Sequence, residues 1–121
     1  MNWIPRFVGP DFVVMPEEIS TMNVRDQYVV VDFADTMGWA EYDISKARPD
    51  RPTGLTDWKG KAIFENDILQ WDGDSNERVV FDYGEFIMRT GKSGPDCPLW
   101  KEAENAEVVG MVAYGEEGIN D

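Results

Sequence analysis

Short runs of β-branched and aromatic residues recur along the chain and end at Gly, Pro, Asn or Asp, whereas the 3.6-residue period of amphipathic helices is scarce. This pattern predicts a mainly β fold, with a β-rich α+β fold as the alternative. The predicted strands are Ile4–Val8, Phe12–Met15, Tyr28–Phe33, Trp39–Ile44, Asp67–Trp71, Arg78–Asp82, Glu85–Arg89 and Val108–Tyr114.

The clearest local signal is a β-hairpin made of Arg78–Asp82 and Glu85–Arg89. The two strands are joined by Tyr83 and Gly84, and Gly84 can adopt the positive φ that a tight reversal requires. The β-branched and aromatic side chains on either side can bury one face of the hairpin. The large aromatic residues that alternate within predicted strands are expected in the core; they are Trp39, Trp71, Phe81 and Phe86.

Two segments indicate short helices. Met15–Ile19 is typical of a single turn, with acidic residues at its positive end. Pro98–Ala106 predicts a short helix with proline at its first position, and Trp100 is expected to pack this helix onto the sheet. Lys46–Pro52 is polar and proline-rich, which predicts a loop.

The chain of 121 residues and 13.8 kDa fits one domain, residues 1–121, with a β-rich subregion at residues 1–47. No apolar run approaches the ~20 residues of a membrane span, and the first residues lack the order of a signal peptide. We therefore expect a cytoplasmic protein.

The chain is strongly acidic, with 24 Asp and Glu against 11 Lys and Arg and a net charge of −13. Such a field repels nucleic acid and anionic membranes, so neither is expected as a direct partner. Residues 1–47 carry eight acidic and three basic side chains, and residues 94–121 carry seven and one. The excess charge either keeps the protein soluble or forms a surface that competes with nucleic acid for a basic cleft.

The segment Thr53–Leu69, Thr-Gly-Leu-Thr-Asp-Trp-Lys-Gly-Lys-Ala-Ile-Phe-Glu-Asn-Asp-Ile-Leu, resembles the central signature of the YopX family. Glu107–Val112 is similar to the closing segment of that family. The resemblance is good over residues 53–112 and weak over residues 1–50. It implies a small phage- or prophage-encoded protein whose residues 53–114 form an SH3-like small barrel. Asn66 replaces the usual Gly and can adopt the same left-handed conformation.

Residues suited to catalysis are few. The chain has no His and a single Cys, Cys97, so no cofactor, metal site or catalytic residue is predicted. One alternative is a magnesium-dependent hydrolase that uses clustered carboxylates, namely Glu65, Asp67, Asp72 and Asp74. Glu65 and Asp67 are equally what the capping of a tight turn requires.

These observations predict a non-catalytic acidic binding protein. The expected partner is a host protein or complex with a basic surface, and the expected role is inhibition of nucleic-acid processing or defence, of anti-CRISPR or nucleic-acid-mimic type. A phage structural or regulatory module is the alternative. Trp58, in a predicted turn, is either covered by its loop or anchors an interface. The candidate binding residues are Trp58, Glu102, Glu104, Glu107, Glu116 and Glu117.

Overall fold

The computed structural model describes residues 4–33, 36–70, 76–89 and 97–116. The mainly β fold class is confirmed, because antiparallel strands form most of this part of the chain. The chain divides into two compact units, unit 1 (Met1–Asp50) and unit 2 (Arg51–Asp121). The expected single domain stays a prediction. Among the described residues, the helices are too short and too polar to cross a membrane.

Unit 1 contains two antiparallel three-stranded sheets. One has the order β2-β1-β6 and the other has the order β3-β4-β5. A 3-10 turn at Pro16–Glu18 confirms the predicted single turn. The core of the unit includes four buried side chains, Phe7, Val14, Val29 and Val31. The strands are β1 (Arg6–Val8), β2 (Val13–Val14), β3 (Ile19–Asn23), β4 (Tyr28–Phe33), β5 (Gly38–Asp43) and β6 (Arg48–Asp50).

Strand β6 lies where a loop was predicted, and that prediction is wrong. Arg48 and Asp50 are buried although both are charged. The Asp50 carboxylate accepts hydrogen bonds from Arg6 Nη2 at 2.6 Å and from Arg48 Nε at 2.8 Å. Burial of these charges is possible because each faces an opposite charge at hydrogen-bond distance. Strand β1 supplies Arg6 from 44 residues away, a partner that the local pattern around Pro49 does not reveal.

Unit 2 contains a five-stranded antiparallel sheet with the order β12-β11-β10-β9-β13 and a two-stranded sheet, β7-β8. Strand β13, which follows the short helix in the chain, pairs with β9, and β12 and β13 form the two edges of the larger sheet. The SH3-like small barrel expected in this half stays a prediction. The elements are β7 (Pro52–Thr56), β8 (Ala62–Phe64), β9 (Asp67–Gln70), β10 (Asn76–Asp82), β11 (Glu85–Arg89), β12 (Cys97–Pro98), α1 (Leu99–Glu102), a 3-10 turn (Ala103–Asn105) and β13 (Glu107–Met111).

The core of unit 2 is formed between the larger sheet and the short helical segment. Leu69, Val79 and Met88 from the sheet are buried together with Leu99 and Ala103. The helix therefore packs through Leu99, whereas Trp100, which was expected to pack it, is 64% exposed. The aromatic residues expected in the core need a similar correction: Trp39 is 64% exposed and Phe81 is 40% exposed. Phe86 does pack against the core, and Trp71 lies outside the described residues.

The predicted hairpin is confirmed. Strands β10 and β11 pair in continuous register from Arg78 opposite Arg89 to Asp82 opposite Glu85. Both residues of the turn have positive φ, 54° for Tyr83 and 78° for Gly84, as a type I′ turn requires. A tyrosine in this conformation is strained, because its Cβ crowds the backbone.

Replacing Tyr83 by asparagine is therefore expected to stabilise unit 2. Asparagine tolerates positive φ better than tyrosine, and little packing is lost because Tyr83 is 84% exposed. We expect Tyr83→Asn to raise the free energy of unfolding by about 0.5–1 kcal/mol, measured by urea denaturation. Gly84→Ala is the opposite control, since it introduces strain at φ 78° and should destabilise. A less stable Tyr83→Asn protein would contradict this interpretation.

Candidate functional site

The segment that carries the family resemblance is organised around the carboxylate of Asp57, at the end of β7. Asp57 Oδ1 accepts hydrogen bonds from the backbone N–H groups of Lys59 at 2.9 Å and Lys61 at 2.8 Å. Its Oδ2 accepts the N–H of Val108, on β13, at 3.0 Å. Burial raises the pKa of Asp57, but the three backbone hydrogen bonds outweigh it and hold the pKa below its usual value. Asp57 thus fixes the turn to the start of β13.

Trp58 lies on this fixed turn and is 61% exposed, so the possibility that its loop covers it is excluded. Its backbone N–H donates to Ala106 O at 3.1 Å, which places it beside Glu107. Lys59 Nζ lies 2.9 Å from Glu107 Oε2 and 5.3 Å from the centre of the Trp58 ring. The structure brings Trp58 and Glu107 together, but Lys59 neutralises the Glu107 carboxylate.

The other predicted binding residues do not share this surface as a group. Glu104 is exposed on the turn that precedes Glu107, and Glu102 is half-buried on α1. Glu116 follows the opposite end of β13, and the strand itself spans roughly 13 Å between Glu107 and Met111. Glu117 lies outside the described residues. The six residues therefore do not gather into one acidic patch within the described part of the chain.

The described carboxylates of the hydrolase alternative, Glu65 and Asp67, form hydrogen bonds and an ion pair within the fold. Asp67 is buried, and its Oδ2 accepts the backbone N–H of Phe64 at 2.8 Å. Glu65 and Arg51 form a bidentate ion pair, in which Arg51 Nε and Nη2 donate to Glu65 Oε1 and Oε2, each at 3.0 Å. Asn66 between them has φ 72°, which confirms the left-handed corner. Asp72 and Asp74 lie outside the described residues, and the remainder contains no group of three carboxylates or thiols that could hold a metal ion.

Cys97 is a poor nucleophile in this setting. Burial raises the pKa of its thiol, and the neighbouring Glu102 and Glu77 carboxylates raise it further, while Lys101 lowers it. Burial and Glu102 likewise raise the pKa of Glu77. A thiol with a raised pKa carries little thiolate at neutral pH, so the surroundings of Cys97 do not activate it.

An exposed aromatic cleft is also present in unit 2. It encloses about 320 Å³, and its walls include Leu55, Phe81, Phe86 and Trp100. The Phe81 and Phe86 rings meet edge to face at 5.0 Å, and the Arg51 guanidinium lies 4.2 Å from the centre of the Phe81 ring. Phe81 and Trp100, which are both exposed, lie in the walls of this cleft.

Sequence reasoning missed an acidic sheet face in unit 1. On β5, exposed Trp39, Glu41 and Asp43 alternate with half-buried residues, and on β4 exposed Asp32 lies directly opposite Trp39. Asp32 and Glu41 have no cationic partner among the residues described. The Asp43 carboxylate accepts the Ser45 N–H at 2.9 Å, and its pKa is lowered by hydrogen bonds from Ser45 and by nearby Lys46. The signal that could have predicted this face is the placement of Trp39, Glu41 and Asp43 at alternate positions of one strand.

We name this surface, made of Asp32, Trp39, Glu41 and Asp43, the acidic sheet face. Alternate residues on a strand are about 7 Å apart, so Trp39, Glu41 and Asp43 form a regular row. Asp32 lies across from one end of that row. The acidic sheet face therefore combines negative charges with one large exposed aromatic side chain.

Comparison with known proteins supports the resemblance in the sequence. No curated protein matches the chain. The family model described as "YopX protein" matches residues 50–114, which is more than half of the chain and includes the Asp57 turn and the larger sheet of unit 2. The chain therefore belongs to the YopX family, and this membership indicates a small phage-type protein.

Proposed function

We propose that this YopX-family protein is a non-catalytic binding protein that occupies a basic surface of a host nucleic-acid-processing or defence complex and inhibits it. The observation that carries the proposal is the acidic sheet face, where exposed Trp39 lies opposite Asp32 and at one end of the row that continues with Glu41 and Asp43. A sheet face holds these groups on a rigid backbone in a fixed row. The protein would act in the cytoplasm of the bacterial host.

Two physical effects support such a role. A net charge of −13 attracts a basic protein over long distances and speeds the encounter, while it repels nucleic acid itself. Trp39 is 64% exposed and offers a large apolar area for burial, the feature that anchors many interfaces. Charge provides orientation and Trp39 provides affinity. Glu41 and Asp43, about 7 Å apart on β5, and Asp32 on β4 offer a basic groove separate negative charges in place of phosphates.

The test compares two variants that lose the same number of negative charges at different positions. One variant neutralises the acidic sheet face (Asp32→Asn, Glu41→Gln, Asp43→Asn). A matched variant neutralises three residues of unit 2 (Glu104→Gln, Glu107→Gln, Glu116→Gln). Each removes three carboxylate charges, so their long-range fields change equally. We expect the first to weaken capture of basic proteins from host lysate about tenfold at low salt and the second to weaken it much less.

Competition separates the proposed role from the structural or regulatory alternative. Captured proteins should be released by double-stranded DNA and by high salt, because DNA and the acidic sheet face would occupy the same basic groove. The activity of the captured complex on nucleic acid should fall when the protein is added. Equal losses of capture in the two variants would refute the proposal. Capture that neither double-stranded DNA nor high salt reduces would refute it as well.

A further inference from the structure

We propose that β5 is an edge that a partner extends: a lysine- or arginine-rich segment of the partner adds to the β3-β4-β5 sheet as a further strand. This inference rests on the proposed function, because it names how the acidic sheet face is bound. In this binding mode backbone hydrogen bonds supply affinity and alternate side chains supply specificity.

Among the residues that the structure describes, the backbone of β5 pairs with β4 alone, which leaves its outer side free. Ile44 N donates to Gln27 O at 2.9 Å, which makes the Gln27 and Ile44 pair hydrogen-bonded. Hydrogen-bonded pairs alternate along an antiparallel ladder, so Tyr42, Ala40 and Gly38 also bond to β4. The N–H and C=O groups of the alternate residues, Trp39, Glu41 and Asp43, therefore point away from β4. No other strand of the described residues pairs with β5.

This edge lacks most of the devices that normally protect sheet edges. Proteins blunt exposed edges with bulges, proline, charged side chains, lysine above all, or very short strands. In this protein β3 has a register shift between Ile19 and Thr21, β13 has one between Val108 and Gly110, and β12 has two residues, one of them Pro98. Strand β5 contains six residues, Gly-Trp-Ala-Glu-Tyr-Asp, in unbroken register with β4. It has no proline, lysine or bulge, and its protection is the negative charge of Glu41 and Asp43, which disfavours an acidic strand and favours a basic one.

The side chains of the edge identify the occupant. Trp39, Glu41 and Asp43 have outward backbone groups and exposed side chains, so an added strand would place its own residues directly opposite them. Lysine or arginine in alternate positions would pair with Glu41 and Asp43 and lie over the Trp39 ring. A second copy of this chain fits poorly, because antiparallel pairing of β5 centred on Glu41 would set glutamate against glutamate.

A backbone variant with a matched charge variant tests the edge. Glu41→Pro removes the outward N–H of residue 41 and leaves the bonds of Ala40 and Tyr42 to β4, as edge strands tolerate. Glu41→Gln removes the same charge and keeps the N–H. We expect Glu41→Pro to weaken binding at least tenfold and Glu41→Gln about threefold. Unchanged hydrogen exchange at the Val29 and Val31 amides confirms that each variant is folded.

The probe is a seven-residue peptide of alternating lysine and valine, added to the wild-type protein. Its binding should slow hydrogen exchange of the Trp39, Glu41 and Asp43 amides at least tenfold. The same peptide with N-methyl groups on alternate residues, which cannot complete the ladder, should not bind. Neither should a peptide of alternating glutamate and valine. Equal binding of the N-methylated peptide, or protection elsewhere than β5, would overturn the inference even if Glu41→Pro failed to fold.

The outcomes also separate this inference from the proposed function. Salt- and DNA-sensitive capture of a basic host protein that Glu41→Pro leaves unchanged would retain the function and overturn the edge pairing. Protection of β5 by the lysine peptide, without capture of any basic host protein, would support the edge pairing and refute the function.

Discussion

Asp50→Asn is expected to lower the free energy of unfolding of unit 1 by about 3–5 kcal/mol. Asp50 is fully buried, and its carboxylate is shared by the guanidinium groups of Arg6 and Arg48, which are also buried. Asparagine has nearly the same shape but no charge, so two buried cations lose the anion between them. The unfolded chain hydrates both cations, and the equilibrium shifts toward it.

Hydrogen exchange at the Val29 and Val31 amides measures this loss of stability in unit 1. Exchange at the Leu69 amide measures the stability of unit 2. Asp11→Asn, an exposed aspartate in the same unit, is the control and should change stability by less than about 0.5 kcal/mol. Replacing Arg6, Arg48 and Asp50 together by Met and Leu should recover much of the loss, because no buried charge remains. A change below about 1 kcal/mol in Asp50→Asn would contradict the role of the buried pair.

Asp57→Ala is expected to destabilise unit 2 by about 3 kcal/mol. The substitution leaves the N–H groups of Lys59, Lys61 and Val108 without the acceptor they share. The Val108 bond is buried and the other two are part-buried, and a buried donor costs about 1–3 kcal/mol when unsatisfied, a part-buried one less. Lys59→Met is the control on the same turn. It removes the exposed ion pair with Glu107 and the contact of the ammonium with the Trp58 ring, and should cost less than about 1 kcal/mol. Urea denaturation measures both.

The effect of Asp57 should depend on pH in a defined direction. The folded state lowers the pKa of Asp57, so its charged form is favoured by folding. The contribution is complete above the pKa of an unfolded aspartate, about 3.9, and is lost as pH falls through the lower folded pKa. The stability difference between wild type and Asp57→Ala should therefore be constant from about pH 7 to 5 and shrink below about pH 4. A difference that grows in acid would be inconsistent with this sign.

Local signals predicted the parts of the fold that local chemistry determines. The β10–β11 hairpin followed from Tyr83-Gly84 between two β-branched and aromatic runs, and the corner at Asn66 followed from its tolerance of positive φ. Strand β6 was missed because Arg-Pro-Asp has low strand propensity. Its pairing with β1 and its ion pairs depend on residues about 44 positions away, which no local pattern contains.

The candidate site was predicted less well for a related reason. Alternation in β5 shows that Trp39, Glu41 and Asp43 share a face, but not that this face is exposed. Tyr42 lies on the inner face of β5, where its ring is 5.1 Å from that of Phe12. The larger Trp39 lies on the opposite, exposed face. In unit 2 the sequence indicated Trp58 and Glu107, but not the Lys59 side chain that contacts both.

The hydrogen bond from Val108 to Asp57 spans 51 residues and so affects the order of events during synthesis. At the usual elongation rate of about 5–20 residues per second, Asp57 leaves the catalytic centre of the ribosome roughly 3–10 s before Val108 is added. The pairings within unit 1 need only residues up to Asp50, so that unit can fold while this interval passes. Nascent chains halted just before Val108 should therefore hold a folded amino-terminal half and a family signature whose turn is not yet fixed to β13.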